Sequence, residues 1–308
     1  MARRNILVLG SANIDLVARV SRIPRPGETL IGQSFATICG GKGANQAVAA
    51  ARLGAGVTFL GCVGADAFGD QQKASLNAAG VDLSLLRTTG DAPTGTAIIE
   101  VSDAGENSIV VVPGANFALT PADVEASRAA FEAADAVLMQ LEVPVAVVEA
   151  ALELARRTNT LSILDIGSDQ PITPEILGKA DVISPNTSEA ERLTGRTIDT
   201  PDAIREAARA MIGYGARHVV MKLGDRGSQA FGPGGECAVP AFTVDVVDTT
   251  AAGDAFTAAL GVAWDPRDLN STLRFANAAG GLAATRAGAQ PSLPDRAAVI
   301  ALLERASD

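Results

Sequence analysis

Short segments rich in Val, Ile and Leu recur along the chain, and Ala- and Leu-rich segments with helical spacing separate most of them. Continuous apolar runs are typical of strands in a parallel sheet that is covered on both faces. Strands that alternate with helices favour right-handed crossovers. The pattern therefore predicts an α/β fold, a three-layer sandwich with a mostly parallel central sheet. The predicted strands of this sheet are 6–9, 57–63, 136–140, 161–165, 182–184, 218–223, 228–232, 236–240 and 242–247, and the predicted helices are 45–53, 68–79, 121–133, 145–157, 188–194, 201–213, 255–264, 267–285 and 294–306.

A second pattern lies in the first third of the chain. Residues 29–38, 95–101 and 107–112 read as strands, with a turn at 102–105 and no helix between neighbours. Such strands do not form a βαβ unit. We predict a small antiparallel sheet that acts as a lid. It would be formed by about residues 13–40 and 93–113, inserted in a single domain that spans residues 1–308.

The stretch at residues 242–256 carries the strongest chemical signal. The β-branched run 242–247 predicts a strand, and the small residues at 248–254, tightest at Gly253, predict a turn into a helix. A helix N-terminus has unpaired N–H groups and a partial positive charge, so it attracts anions. A carboxylate in the same turn, Asp254, would repel a phosphate but suits a phosphoryl-transfer enzyme that needs a base. Asp254 as a simple N-cap is the alternative from this stretch alone.

Polar residues follow several other predicted strands. Asn13 and Asp15 come just after the first strand and would share one face of a short extended segment. Ligands of α/β sheets bind at the carboxyl ends of the strands, so convergence there predicts one site. The glycine-rich segment 39–45 allows close backbone approach, yet it matches neither a P-loop nor a dinucleotide fingerprint. Residues that lie at this edge in the predicted fold are Asn13, Glu142, Asn186, Gly224 and Asp254.

Composition narrows the function classes. The 308 residues are 47% hydrophobic and carry a net charge of −10, which argues against a nucleic-acid partner. Cys39, Cys62 and Cys237 are far apart and match no metal spacing, so we expect reduced thiols in a cytoplasmic protein. No apolar stretch is long enough for a bilayer, so no membrane is expected. The one histidine, His218, reads as a structural residue at a strand edge.

Two motifs resemble the signatures of one enzyme family. Residues 40–47 and 248–254 are similar to the first and second signatures of the ribokinase (PfkB-type) family of sugar kinases, in the same order. Segments 105–108 and 288–292 also resemble parts of that family. The likeness covers nearly the full length of the chain.

The resemblance implies a set of roles. Asp254 would be the general base on the primary hydroxyl of a sugar, and the amides of Ala251, Ala252 and Gly253 would form an anion hole for the γ-phosphate of ATP. Asn186 and Glu189 resemble an Asn-x-x-Glu motif that acts near the phosphates and Mg²⁺. The sugar would be held by Asn13, Asp15, Gly41, Lys42, Asn45 and Glu142, and the nucleotide by Lys222, Gly224, Gly227 and Asn277.

The resemblance also implies a monovalent cation, usually K⁺, under the turn that carries the base. Its ligands would be Asp248 with groups of Thr250, Ala283, Arg286, Gly288 and Ser292. Two departures from the family pattern stand out. Lys222 replaces the small hydroxyl residue of some members, and segment 264–268 is shorter than usual.

The implied activity is ATP-dependent phosphorylation of D-ribose at O5 by a homodimer that joins through its lids. Alternatives are a kinase of 2-deoxyribose or of a nucleoside, and a sugar- or nucleotide-binding sensor without turnover. Few aromatic residues flank Asn13 and Asn45, which disfavours a nucleoside. A pure sensor gains nothing from a base such as Asp254 beside its anion hole.

Overall fold

The predicted apolar runs form one large sheet in the computed structural model, which describes residues 3–167 and 170–306. The strands are β1 (Asn5–Leu9), β2 (Asn13–Val20), β3 (Ser34–Gly40), β4 (Gly56–Gly64), β5 (Leu86–Thr89), β6 (Gly95–Ser102), β7 (Asn107–Val112), β8 (Ala136–Gln140), β9 (Leu161–Asp165), β10 (Val182–Ser184), β11 (His218–Lys222), β12 (Ser228–Gly232) and β13 (Gly235–Val239). The helices are α1 (Lys42–Arg52), α2 (Ala67–Ala78), α3 (Pro121–Ala126), α4 (Arg128–Ala133), α5 (Val145–Thr158), α6 (Pro174–Leu177), α7 (Thr187–Thr194), α8 (Pro201–Gly213), α9 (Ala252–Ala263), α10 (Leu269–Ala283) and α11 (Arg296–Arg305).

The large sheet has nine strands in the order β13-β12-β11-β10-β9-β8-β1-β4-β5. The run from β11 to β5 is parallel, and β12 and β13 continue it antiparallel at one edge. Successive side chains of a strand point to opposite faces, so each strand contributes side chains to two hydrophobic cores, one on each face of the sheet. Ile6 and Val8 pack with α1, α9 and α10 on one face, while Leu7 and Leu9 pack with α5 and α8 on the other. The predicted three-layer sandwich is confirmed.

The lid is a separate four-stranded sheet in the order β3-β2-β6-β7. Its outer pairs are antiparallel, but its central pair, β2 with β6, is parallel. The predicted small sheet is confirmed, but its central pair is parallel and not antiparallel as predicted. Asn13, the first residue of β2, and Gly40, the last residue of β3, are paired in register.

Several local predictions differ from the structure. Residues 242–247 form no strand, because no neighbouring strand is there to pair with them. Phe242, Thr243, Val244 and Val246 line a cavity instead. Residues 29–33 are also not a strand, and β5 and α6 were not predicted. The predicted helix 121–133 divides into α3 and α4 at Ser127. The Ser127 hydroxyl donates to the Asp123 carbonyl at 2.8 Å. The segment 288–292, predicted as non-helical, contains a 3₁₀ turn at Gln290–Ser292.

Candidate active site

The turn before α9 is left-handed at Ala251, which has φ 59° and ψ 6°. Such a backbone costs a non-glycine residue about 1–3 kcal/mol and is typical of functional turns. The tightest residue is thus Ala251, not Gly253 as predicted. The helix begins at Ala252, and within the described residues no side chain caps it.

The first helical bond of α9 runs from the Ala255 N–H to the Ala251 carbonyl at 2.9 Å. Helix N–H groups that precede this bond have no intrahelical acceptor and are available to an anion. The Ala252 N–H, one of the three predicted donors, donates to the Thr249 carbonyl at 3.2 Å. The turn therefore has the location of an anion hole, with Ala252 partly engaged in holding its shape.

Asp254 is the third residue of α9 and is only 4% exposed. It is not the N-cap, so that alternative is wrong. Its Oδ2 accepts from Asn45 Nδ2 at 2.9 Å, and its Oδ1 accepts from Gln46 Nε2 at 3.3 Å. Burial raises the pKa of Asp254 to about 6; Lys42 and the Asn45 hydrogen bond oppose this rise, and Asp165 and Glu142 add to it.

The glycine-rich segment brings α1 against the end of β1. A Cβ on Gly43 would lie 2.6 Å from the Ser11 nitrogen, and one on Gly41 would lie 2.6 Å from the Asn13 nitrogen. Gly41 also has φ 87°, which favours glycine. This close approach places Asn45 on the carboxylate of Asp254.

The predicted sugar-binding residues line the junction of lid and large sheet. Asn13 is buried, and its Oδ1 accepts from Asn116 Nδ2 at 2.6 Å. The Glu142 Oε2 accepts from the Ser11 hydroxyl at 2.6 Å and from the Lys42 N–H at 3.2 Å. The structure thus gathers these polar groups at one edge of the sheet.

The carboxylates of this junction shift the pKa values of two further residues, Asp15 and Lys42. Burial, together with the nearby carboxylates of Glu142 and Asp254, raises the pKa of Asp15 to about 7. Burial alone would lower the pKa of Lys42, but Asp254, Glu142, Asp165 and Glu189 raise it overall. Lys42 therefore carries its charge among the acids of the site.

Asn186 and Glu189 lie at the start of α7, directly after β10. Asn186 Oδ1 accepts from the Glu189 N–H at 2.8 Å, and the Glu189 carboxylate accepts from the Asn186 N–H at 2.7 Å and from Nδ2 at 2.9 Å. This reciprocal pairing is a capping box. It fixes a buried carboxylate at the carboxyl edge of the sheet.

A cavity of about 550 Å³ opens beside the turn. All four residues predicted to hold the nucleotide line it: Lys222, Gly224, Gly227 and Asn277. Most of the remaining wall is apolar, and the anion-hole residues Ala252 and Gly253 also line the cavity. The Asn277 amide is fixed by donation to the Val239 and Pro240 carbonyls, both at 3.1 Å. The other wall residues include Phe242, Val244, Val246, Phe256, Gly280 and Ala284.

The predicted cation ligands are only partly brought together. Asp248 accepts from the Thr250 N–H and from the Gly288 N–H, each at 2.9 Å. Burial raises the pKa of Asp248, but these bonds lower it overall, so the carboxylate is ionised. The Arg286 N–H donates to the Ala283 carbonyl at 3.4 Å, and the Ser292 hydroxyl to the Ala289 carbonyl at 2.8 Å. Within the described residues, Ala283, Arg286 and Ser292 form no hydrogen bond with Asp248.

The sequence prediction missed Asp165 and Gln46. Asp165 ends β9, is 1% exposed, and accepts from Gln46 Nε2 at 2.9 Å and from Lys222 Nζ at 2.6 Å. Its position at the end of a predicted strand was a usable signal. Gln46 follows Asn45 in the glycine-rich motif and bridges Asp165 to Asp254.

Residues 3–167 and 170–306 contain neither a metal-binding cluster nor a membrane-spanning helix. No group of three or more His, Cys, Asp or Glu side chains is placed to hold a metal ion. No helix in these ranges is both long and apolar enough to cross a membrane.

The model of the pfkB family carbohydrate kinases matches residues 3–296. The chain belongs to this family. It is similar to the ribokinase of Haemophilus influenzae, with 38% identity over 99% of this chain and 100% of that protein. It is also similar to a deoxyribokinase of Salmonella typhi, with 36% identity over 82% of this chain and 83% of that protein.

A solved structure, Arabidopsis thaliana ribokinase complexed with ribose and ATP, matches with a TM-score of 0.89 and 36% identity, over 98% of this chain and 99% of that chain. The family assignment makes the chain a carbohydrate kinase. The predicted fold and the predicted enzyme class are confirmed.

Proposed function

We propose that the protein transfers the γ-phosphoryl group of ATP to O5 of D-ribose, giving D-ribose 5-phosphate and ADP. The observation that carries the proposal is the buried Asp254 carboxylate on the first turn of α9, next to a cavity of nucleotide size. The full-length ribokinase relatives support ribose as the sugar. The relative solved with ribose and ATP supports ATP as the donor.

Asp254 accepts the proton of the 5-hydroxyl as O5 attacks the γ-phosphorus. The bond from phosphorus to O5 forms while the bond to the bridging oxygen breaks, and ADP leaves with that electron pair. The N-terminal amides of α9, including that of Gly253, stabilise the equatorial oxygens. A pKa of about 6 keeps Asp254 mostly ionised at neutral pH and still basic enough to take a proton.

Asn45 and Gln46 hold Asp254 in one orientation, since each donates to a different carboxylate oxygen. Asn13, Asp15, Gly41, Lys42 and Glu142 are proposed to hold the sugar. These residues offer many polar groups, and each needs a hydrogen-bond partner on the sugar. Ribose has one more hydroxyl to pair with them than 2-deoxyribose has, which supports ribose as the substrate. The buried base argues against a sensor without turnover.

The residues present fit the expected Mg²⁺. Mg²⁺ in kinases is bound by one or two carboxylates plus substrate phosphates and water. The carboxylate of Glu189, held in place by Asn186, would help to bind Mg²⁺. When bound, Mg²⁺ neutralises charge on the transferring phosphates.

The residues near Asp248 fit a monovalent cation in donor type, since they offer one ionised carboxylate, carbonyl oxygens and the Ser292 hydroxyl. Thr250, Ala283, Arg286 and Gly288 would contribute the carbonyls. When bound, the cation would offset the charge of Asp248 under the turn.

We expect turnover to rise with K⁺ and to fall when Na⁺ replaces it at equal ionic strength. The reason is that a large cation suits a cage of carbonyls and would hold the 248–254 turn in the shape that aims its amides. Initial rates in KCl and NaCl measure this. Equal rates in both salts contradict the cation site.

The lid presents an unusual apolar surface. Phe35 is 66% exposed, Ile98 49% and Ile109 52%, and β3 and β7 leave free edges. Monomers rarely expose such patches, and free strand edges are normally covered. We propose that the lid of a second copy covers this surface in a homodimer.

Light scattering at micromolar concentration should give twice the chain mass. Ile109→Glu should shift the mass toward the monomer, because it places a charge in the proposed interface. Ile300→Glu is the matched control, since Ile300 is 39% exposed and lies on α11, which is not part of the lid sheet. A monomer mass for the unaltered protein contradicts the dimer.

The free thiols of Cys39, Cys62 and Cys237 support a cytoplasmic location. The first experiment for the activity is a coupled assay of ADP release with ATP, Mg²⁺ and D-ribose. We expect sugar-dependent ADP release. Release that does not depend on ribose, but does depend on a nucleoside, would overturn the assignment of the acceptor.

A further inference from the structure

A buried ion pair joins the ends of two strands that are not neighbours. Lys222 at the end of β11 donates to Asp165 at the end of β9, with Nζ and Oδ1 2.6 Å apart. Their side chains are 12% and 2% exposed. Strand β10 lies between them and ends at Ser184, which is in register with Asp165. Two strand spacings are about 10 Å, so only a long side chain makes this contact.

The ammonium of this pair lies at the anion hole. Lys222 lines the nucleotide cavity, and its Nζ is 3.9 Å from where a Cβ on Gly253 would stand. Gly253 provides one of the amides at the start of α9. A phosphate on those amides therefore comes within reach of Nζ.

The carboxylate of the pair connects to the base. Asp165 Oδ2 accepts from Gln46 Nε2 at 2.9 Å and from the Thr257 hydroxyl at 3.2 Å. The same Gln46 nitrogen lies 3.3 Å from Asp254 Oδ1. Asp165 thus contacts both the lysine at the anion hole and the amide that orients the base.

Isolated buried ion pairs contribute little to stability, because desolvation offsets their attraction. Ionic groups placed in a cleft beside a nucleotide cavity are instead typical of functional sites. We propose that Lys222 binds the transferring γ-phosphate and that Asp165 is the positioning residue that holds both Lys222 and Gln46. This inference rests on the proposed function, with ATP as the donor.

The lysine is tested by binding, without sugar and without turnover. Affinities for ADP and for the β,γ-imido analogue of ATP are measured with Mg²⁺ by calorimetry. Lys222→Met should weaken binding of the analogue by roughly 10- to 100-fold, because the variant loses a charge-assisted hydrogen bond to the γ-phosphate. ADP has no γ-phosphate, so its affinity should change by less than about 3-fold.

Two controls accompany this variant. Lys222→Arg keeps a positive charge at the same position and should recover part of the preference for the analogue. Lys179→Met removes a surface lysine that pairs with Glu149 and Glu153, and should change neither affinity. Equal losses for ADP and analogue in Lys222→Met, or no loss for either, would overturn the proposal. A Lys222→Arg variant that binds ADP normally but gains nothing for the analogue would do the same.

Asp165 is tested by a double-mutant cycle in kcat. Asp165→Asn and Lys222→Met should each lower kcat about 10-fold or more, and the double variant should be close to the worse single variant. Losses that multiply would show that the two residues act separately. The binding test with ADP and the analogue uses no sugar, so it still measures the contribution of Lys222 if ribose proves to be the wrong substrate. A failure of the proposed sugar can therefore be distinguished from a failure of the proposed role of Lys222.

Discussion

Asp254→Asn will lose most of its turnover while it still binds both substrates. The variant keeps the shape of the side chain, and its amide can still meet Asn45 and Gln46. It cannot accept the proton of the 5-hydroxyl, and a positioned base typically contributes about 10²–10⁴-fold. We therefore expect kcat to fall by that factor, with the affinities for sugar and ATP within several-fold of the original. Steady-state kinetics and calorimetry measure the two quantities.

The pH profile separates a base from a structural carboxylate. The pKa of Asp254 is raised to about 6, so the active ionised form is lost as pH falls through 6. The unaltered enzyme should show kcat rising with pH up to about 7, and Asp254→Asn should lack this limb. Asp181→Asn is a suitable control, because Asp181 holds Ser162 at the opposite end of the sheet. Near-normal kcat in Asp254→Asn would remove Asp254 as the base.

D-Ribose should be preferred clearly over 2-deoxyribose, although a deoxyribokinase is among the relatives. Asn13 is buried, and because its Oδ1 already pairs with Asn116, its Nδ2 is the group left to meet a sugar hydroxyl. Removing the 2-hydroxyl leaves a buried polar group without its partner, at about 1–3 kcal/mol. That corresponds to roughly 5- to 150-fold in kcat/KM.

Asn13→Ala tests the same contact from the protein side. It should slow ribose and narrow the gap between the two sugars, because the unpaired donor is gone. Asn107→Ala, on the exposed strand β7, is the matched control and should leave the gap unchanged. Equal use of both sugars by the unaltered enzyme would show that Asn13 and Asp15 do not meet the secondary hydroxyls.

The sequence was sufficient for the layered fold and for the place of Asp254, because both follow from local patterns. Alternating strands and helices predict a parallel sheet, and a turn of small residues before a helix predicts an anion site. Family signatures supplied the roles that local patterns leave open. The residues implied for the nucleotide do line one cavity.

The missed features depend on what lies nearby in space. The run 242–247 has strand propensity, but no neighbouring strand is available to form backbone hydrogen bonds with it. Most of its residues line a cavity instead. The contact of Lys222 with Asp165 crosses β10 and joins residues 57 positions apart, which no spacing rule reaches. The left-handed backbone of Ala251 is imposed by the turn and not by its side chain.

The position of the new phosphate tests the central proposal most directly. The protein is incubated with ATP, Mg²⁺ and D-ribose, and the product is examined by ³¹P–¹H correlation NMR. We predict a single phosphomonoester coupled to the two protons on C5, absent when Asp254→Asn replaces the unaltered enzyme. A phosphate coupled to the proton on C1, or ribose left unchanged while another acceptor is phosphorylated, would contradict it.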